Sequence, residues 1–284
     1  MFSTLTLLVA LVGHAALWIG CVNRLHAIGL RKLVKEAFTN VCFAVLFAVP
    51  LIVAWRWWSR GASLAGMVGT DSPLAIYLAA CVPVAAFVGA SRLWHLVGGE
   101  RRGVVSQHSL RWVDFGADGG RDRLVSPGVA RVISRLPGNQ LLRLAVEEKT
   151  LRIPNLPSGL EGLKIAHLSD LHMSGRIHAD YYAQTVDIAN EWRPDIVALT
   201  GDLVENIASL ESIELILGRL EARCGVYFVL GNHDAHGDSD ELRRRLVDCG
   251  HVDVGGRWLD REVNGAKLRL AGNELPWFRP AADL

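Results

Sequence analysis

Three long stretches of this 284-residue chain contain no Asp, Glu, Lys or Arg: Met1–Asn23, Ala37–Trp55 and Ser72–Ser91. At 23, 19 and 20 residues, each can cross a hydrocarbon core of ~30 Å as a helix. The missing polar face excludes three ordinary surface helices of a globular core. No basic segment precedes the first stretch, which excludes a cleaved secretory leader. Cysteine is scarce, five residues with no Cys-x-x-Cys spacing, which excludes a thiolate zinc site and a disulfide framework and suits free thiols in a reducing compartment. Net charge is only +1, with no basic footprint for nucleic acid, so no nucleic-acid partner is expected. No internal repeat is present.

Half of the chain is hydrophobic, and the excess lies at the N-terminus. Spans are expected at about 2–23, 37–55 and 73–94 within a membrane region 1–97. Trp18, Trp55, Trp57, Trp58 and Trp94 fall near their ends, as interfacial aromatic belts do. Arg24, Arg31, Lys32 and Lys35 sit between the first two spans, and Arg92, Arg101, Arg102 and Arg111 follow the third, whereas the loop from Arg56 to Asp71 holds only Arg56 and Arg60. The positive-inside rule then expects an integral protein of the cell membrane whose C-terminal domain faces the cytoplasm. Residues 1–150 hold 16 Lys/Arg against 8 Asp/Glu, a net of +8, and residues 151–284 hold 14 against 21, a net of −7. The basic half is expected to meet anionic membrane lipids.

The C-terminal half carries three short polar motifs in order: Asp170-Leu171-His172, Gly201-Asp202 and Gly231-Asn232-His233-Asp234. Each follows an apolar run that reads as a strand, Lys164–Ser169, Asp195–Thr200 and Gly225–Leu230, so each polar group emerges where a buried strand gives way to a loop. Helices are expected at Tyr181–Glu191, Ile207–Ala222 and Ser239–Asp248, the last with Asp238 and Glu241 as a capping pair. This alternation builds a parallel sheet. Two carboxylates, an imidazole and a carboxamide form a mixed oxygen and nitrogen set that suits Mn²⁺, Fe, Zn²⁺ or Mg²⁺.

Asp-x-His, Gly-Asp and Gly-Asn-His-Asp, with 32 residues from Asp170 to Asp202 and 30 from Asp202 to Asn232, resemble the calcineurin-like metallophosphoesterase superfamily. The resemblance implies a two-metal hydrolase of phosphate mono- or diesters. Asp170 and His172 would ligate the first divalent ion, Asp202 would bridge both, and Asn232 would bind the second. His233 would act as the acid or orienter at the leaving group, and Asp234 would fix the tautomer of that imidazole. Some relatives cleave lipid-linked precursors, so a lipid-linked phosphate ester is an expected substrate class by analogy.

Family members complete the site with further histidines, one after a later strand and a Gly-His-x-His pair beyond it. No histidine lies between Val252 and Leu284, and His236 and His251 are placed elsewhere. The expectation is therefore a half-built second metal site in an incomplete copy of a longer enzyme. A non-catalytic truncated membrane paralogue is the alternative. The expected architecture is an α-helical transmembrane region of three spans followed by an α/β metallophosphoesterase domain, the first part of a four-layer α/β/β/α sandwich. Residues 98–142 are expected as a juxtamembrane linker with a short helix around Val129–Arg135, and 143–284 as the domain, its first strand at Arg143–Ile153. A hairpin at Arg257–Val263 and Lys267–Ala271 turns on Asn264-Gly265, and 273–278 then runs on with no capping element of its own.

Overall fold

The computed structural model describes residues 4–28, 30, 32–60, 73–98, 104–117 and 120–283. Arg31, Arg101, Arg102 and most of the loop from Arg56 to Asp71, used above for orientation, lie outside these residues. The chain divides into two compact units, Met1–Arg102 and Gly103–Leu284.

The first unit is three helices, α1 (Thr4–His26), α2 (Lys32–Arg60) and α3 (Pro73–Gly98). All three are long and apolar enough to cross a membrane. Their large apolar side chains point outward: Phe47, Leu51, Ile76 and Phe87 are 64, 68, 70 and 74% exposed. Water does not tolerate such a surface, and lipid does. Helices α1 and α3 approach closely because Gly13 has no side chain; a Cβ there would stand 1.9 Å from the Cys81 carbonyl oxygen.

One polar cluster ties the three helices together. Pro50 lies inside α2 and has no N–H to give the carbonyl of Leu46 four residues earlier. His14, 1% exposed on α1, fills that role: its Nε2 is 3.1 Å from Leu46 O. A carbonyl only accepts, so Nε2 carries the proton. Nδ1 then accepts from the Tyr77 hydroxyl of α3 at 2.5 Å, and that hydroxyl accepts from Trp18 Nε1–H at 2.8 Å. Both ring nitrogens of His14, the Tyr77 hydroxyl and the Trp18 N–H thus have partners, as hydrocarbon surroundings require.

The second unit begins with a two-stranded antiparallel ribbon, β1 (Val105–Asp114) and β2 (Arg143–Leu151), with Trp112 opposite Ala145 and His108 opposite Lys149. Two short helices, α4 (Gly120–Leu124) and α5 (Val129–Ser134), lie between the strands. The stretch 98–142, expected as a linker, is therefore partly folded. Its Arg, Ser and Gly content concealed a ribbon that is exposed along most of both faces and held by cross-strand pairs such as Arg143 over Trp112 at 4.9 Å.

The sheet that follows is parallel, in the order β3 (Ile165–Leu168), β4 (Ile196–Thr200), β5 (Val226–Val229), β6 (Val252–Asp253). Crossovers through α6 (Ala179–Glu191) and α8 (Ser239–Asp248) pack Val186, Leu242 and Leu246 against Val197, Leu199 and Phe228 in the main core. The expected helix at 207–222 is broken into a 3₁₀ turn at Ile207–Ser212, a single α turn α7 (Ile213–Ile216) and a second 3₁₀ turn at Leu217–Arg219. Buried Leu210, Ile213 and Ile216 recur every three residues, which matches three residues per turn better than 3.6. Asp238 caps α8 by accepting Glu241 N–H at 3.0 Å.

The hairpin β7 (Trp258–Val263) and β8 (Ala266–Ala271) covers Ile196, Tyr227 and Val254 on the sheet's other face. Asn264 and Gly265 both have positive φ, 49° and 78°, the signature of the tight turn that matches strand twist. The segment after it is not loose. Glu274 is buried and accepts Leu230 N–H at 2.5 Å, Arg243 donates to its other oxygen at 2.5 Å, and Phe278 packs on the main core.

His251 is 5% exposed, with Nε2 2.9 Å from Leu217 O. Burial pushes its pKa below the ordinary histidine value against the raising effect of that hydrogen bond.

Two outcomes are expected. In a thermal-unfolding cycle in detergent, His14→Leu weakens the helical unit by roughly 1–2 kcal/mol and by clearly less when combined with Pro50→Ala, which restores an N–H for Leu46; strictly additive losses would refute the His14 to Pro50 pairing. For His251 the folded pKa lies below the unfolded one, so the unfolded chain binds more protons and stability falls as pH drops below about 6.5. Replacing His251 with Asn lowers stability at pH 8 but flattens part of its decline between pH 7 and 5. An unchanged slope would show that His251 does not contribute to it.

Candidate metal centre

Because β3, β4 and β5 are parallel and adjacent, their C-terminal ends deliver the three motifs to one edge of the sheet, where α/β folds place their sites. The loops after β3 and β4 then run side by side. Asp170 N–H donates to Gly201 O at 3.1 Å, His172 N–H to Asp202 O at 2.9 Å, Met173 N–H to Leu203 O at 3.0 Å, and Glu205 N–H to Met173 O at 2.9 Å. To present side chains on one side, the backbone turns left-handed at Asp170, His172 and Asp202, with φ of 56°, 46° and 54°. Three left-handed non-glycine residues at three candidate ligands is a concentration of strain of the kind found at functional sites.

The loop after β5 closes on the loop after β4 at two glycines. A Cβ on Gly201, whose φ is +86°, would lie 2.5 Å from Gly231 N, and one on Gly231 would lie 2.2 Å from Asp202 Oδ1. This contact lets His233 N–H donate to Asp202 Oδ1 at 2.9 Å.

The ligating atoms converge on His172 Nε2. It stands 3.8 Å from Asp170 Oδ1 and 4.0 Å from Asp202 Oδ2, too far for hydrogen bonds and about the separation of two ligands that each reach a shared cation at ~2.0–2.2 Å. Ligand atoms of His172, Asp202 and His233 all lie within 4.8 Å of one another. Asn232 lines the same cleft as Ser169, Asp170 and Asp202. On the far side of the ring, His172 Nδ1 is buried and has no hydrogen bond, although Glu205 Oε1 is 2.8 Å away; that oxygen lies off the line of the ring N–H. The donor set and the gap at Nε2 fit a divalent ion.

The structure thus brings Asp170, His172, Asp202, Asn232 and His233 together, and separates Asp234 from them. Asp234 is 1% exposed. Its Oδ1 accepts Leu203 N–H at 2.9 Å and Val204 N–H at 3.0 Å, and its Oδ2 accepts Gly231 N–H at 2.9 Å. It pins the loops after β4 and β5 together and does not orient His233. Burial pushes its pKa up, against the lowering effect of those three N–H donors. The carboxylate that faces His233 is Glu205, whose Oε1 is 3.1 Å from Nδ1. Sequence reasoning missed it; the available signal was an acid three residues after Asp202 in a loop already marked as functional. It also missed Glu274, which holds Leu230 immediately before the third motif.

Residues 163–278 match the calcineurin-like phosphoesterase family. Similar curated proteins include a zebrafish (Danio rerio) transmembrane protein with metallophosphoesterase domain, 34% identical over 90 residues, 31% of this chain and 21% of that one. An uncharacterized metallophosphoesterase of Bacillus subtilis is 27% identical over 129 residues, 44% and 45% of the two chains. Another, of Aquifex aeolicus, is 34% identical over 150 residues, 46% and 57%. The chain therefore spans between about a fifth and three fifths of the length of these relatives. No solved structure matches it. The parallel sheet, the three motifs at its edge and the family match give one conclusion: behind three apolar helices, this chain carries a calcineurin-like phosphoesterase domain.

Proposed function

We propose that this chain is a membrane-anchored phosphoesterase that hydrolyses phosphate mono- or diesters with two divalent cations, its domain on the cytoplasmic side of the cell membrane. The observation that carries the reading is His172 Nε2 facing the Asp170 and Asp202 carboxylates at 3.8 and 4.0 Å, a spacing that two hydrogen-bonded side chains do not adopt and a shared cation does.

Asp170, His172, Asp202 and Asn232 would hold these ions, the first two on one side of the cleft, Asn232 on the other, and the Asp202 carboxylate between them. Such a pair of ions, when bound, supplies a hydroxide near neutral pH and stabilises the oxygens of an in-line displacement. Asp202 is held for this task by the His233 N–H on Oδ1, which leaves Oδ2 toward His172. The negative charge of Glu205, 3.1 Å from His233 Nδ1, favours a proton on that nitrogen, so that Nε2 is the atom left to exchange a proton with the leaving oxygen. The transmembrane relatives and the apolar helices support a substrate presented at a bilayer, a lipid-linked phosphate ester.

The test is metal content, by elemental analysis of the full chain in detergent, read beside hydrolysis of bis-p-nitrophenyl phosphate. His172→Ala and Asp202→Ala are expected to lose bound Mn²⁺, and Asn232→Ala to lose part of it. His233→Ala is expected to keep the metal while turnover drops by ~10²–10⁴-fold. A His233→Ala protein without metal would make His233 a ligand. Metal bound in the wild type with no hydrolysis would favour the non-catalytic alternative. Asp234→Asn is expected to retain metal and to lower the unfolding free energy by roughly 1–3 kcal/mol, since one backbone N–H then faces an amide NH₂; a tautomer change at His233 seen by ¹⁵N NMR in this variant would restore the role that the geometry denies to Asp234.

A further inference from the structure

Helix α5 is inside out. Its inward-facing residues are small or polar: Ala130 packs on the Leu124, Val125 and Leu142 cluster, Ser134 is 1% exposed, and Arg131 turns in to donate to the carbonyls of Val125 and Asp122 at 2.7 and 3.0 Å. Arg121 donates to Ser134 O. The apolar residues face outward. Val129, Val132, Ile133 and Leu136 are 74, 67, 48 and 56% exposed and follow the i, i+3, i+4, i+7 spacing of one helical stripe. In water this arrangement is reversed: the apolar stripe is what a helix buries.

We infer that the Val129–Leu136 stripe is an interfacial docking element that inserts into the headgroup and acyl boundary of an anionic bilayer. Two observations select a bilayer as the occupant. Thirty residues, ten of them the strand β1, separate the end of α3 at Gly98 from Val129, so the tether to a membrane helix keeps this segment at high effective concentration near lipid, and a few apolar side chains suffice. Charge is the second. Residues 104–153 hold 8 Lys/Arg against 5 Asp/Glu, net +3, whereas residues 154–284 hold 13 against 21, net −8. The stripe belongs to the part of the domain that an anionic surface attracts. Short length is no obstacle, because an interfacial helix is held by its apolar face and its flanks rather than by spanning.

The experiment uses the full chain in phosphatidylcholine nanodiscs with and without phosphatidylglycerol. Benzoylphenylalanine replaces Val132 in one sample and Leu215, 72% exposed on α7, in another. After irradiation, mass spectrometry is expected to find a lipid adduct at 132, several-fold more with phosphatidylglycerol, and none at 215. Substituting exposed Val129→Glu and Ile133→Glu leaves the core untouched and is expected to cut the adduct at 132 by about tenfold for each apolar side chain removed. An adduct to a second copy of the chain in place of lipid, equal adducts at 132 and 215, or an adduct indifferent to the two Glu substitutions would each overturn the inference.

Discussion

The site depends on how closely two loops can approach. Gly201 and Gly231 stack backbone on backbone, and any side chain at either would collide, with Gly231 N in one case and the Asp202 carboxylate in the other. Only from that contact can His233 N–H reach Asp202, and only from there can the Asp234 carboxylate span to Leu203, Val204 and Gly231. The glycines ahead of Asp202 and Asn232 are thus a spacing requirement. The left-handed turns at Asp170, His172 and Asp202 cost roughly 1–2 kcal/mol each for residues with a Cβ. The buried Asp234 bonds and the four backbone bonds between the first two loops hold the chain there.

The parallel strands and the polar motifs that meet at their ends were legible because each rests on local pattern: an apolar run of four to six residues followed by a polar motif. The hairpin was legible because Asn-Gly adopts positive φ without strain. What was not legible was long-range. Asp234 and Glu205 are both acids in functional loops, and nothing in their neighbours says that one turns into the backbone and the other out to the imidazoles. That choice follows from which acid is surrounded by unpaired N–H groups once three loops have met, a property of the assembled edge. Strand β1 was hidden for a related reason: it buries little, so its residues show no alternation to read.

In the helical unit the same rule operates in a different solvent. A proline in a soluble helix frees a carbonyl to water. Within an apolar bundle there is no water, so the carbonyl of Leu46 needs a donor from another helix. His14 supplies one, and satisfying its second nitrogen recruits Tyr77 and Trp18 in turn. One missing N–H therefore accounts for the placement of three polar side chains. This is also why His14 on an otherwise apolar helix belongs to packing and not to the chemistry of the phosphoesterase domain.

Behind the metal centre, the segment after the hairpin acts as a brace. Arg243 of α8 joins Asp253 of β6 and Glu274 beyond β8, and lies 5.1 Å from the Phe278 ring. Glu274 reaches Leu230, the residue that ends the apolar run before Gly231-Asn232. A buried ion network of this kind contributes little net stability once desolvation is counted, because its attraction mainly offsets the cost of removing charges from water. It contributes position: removing one member strands the others, so the network admits a single arrangement of α8, β6 and the third motif. The candidate ligand Asn232 thus stands on a loop held by Asp234 from one side and by Glu274 from the other, and neither carboxylate is available to a metal.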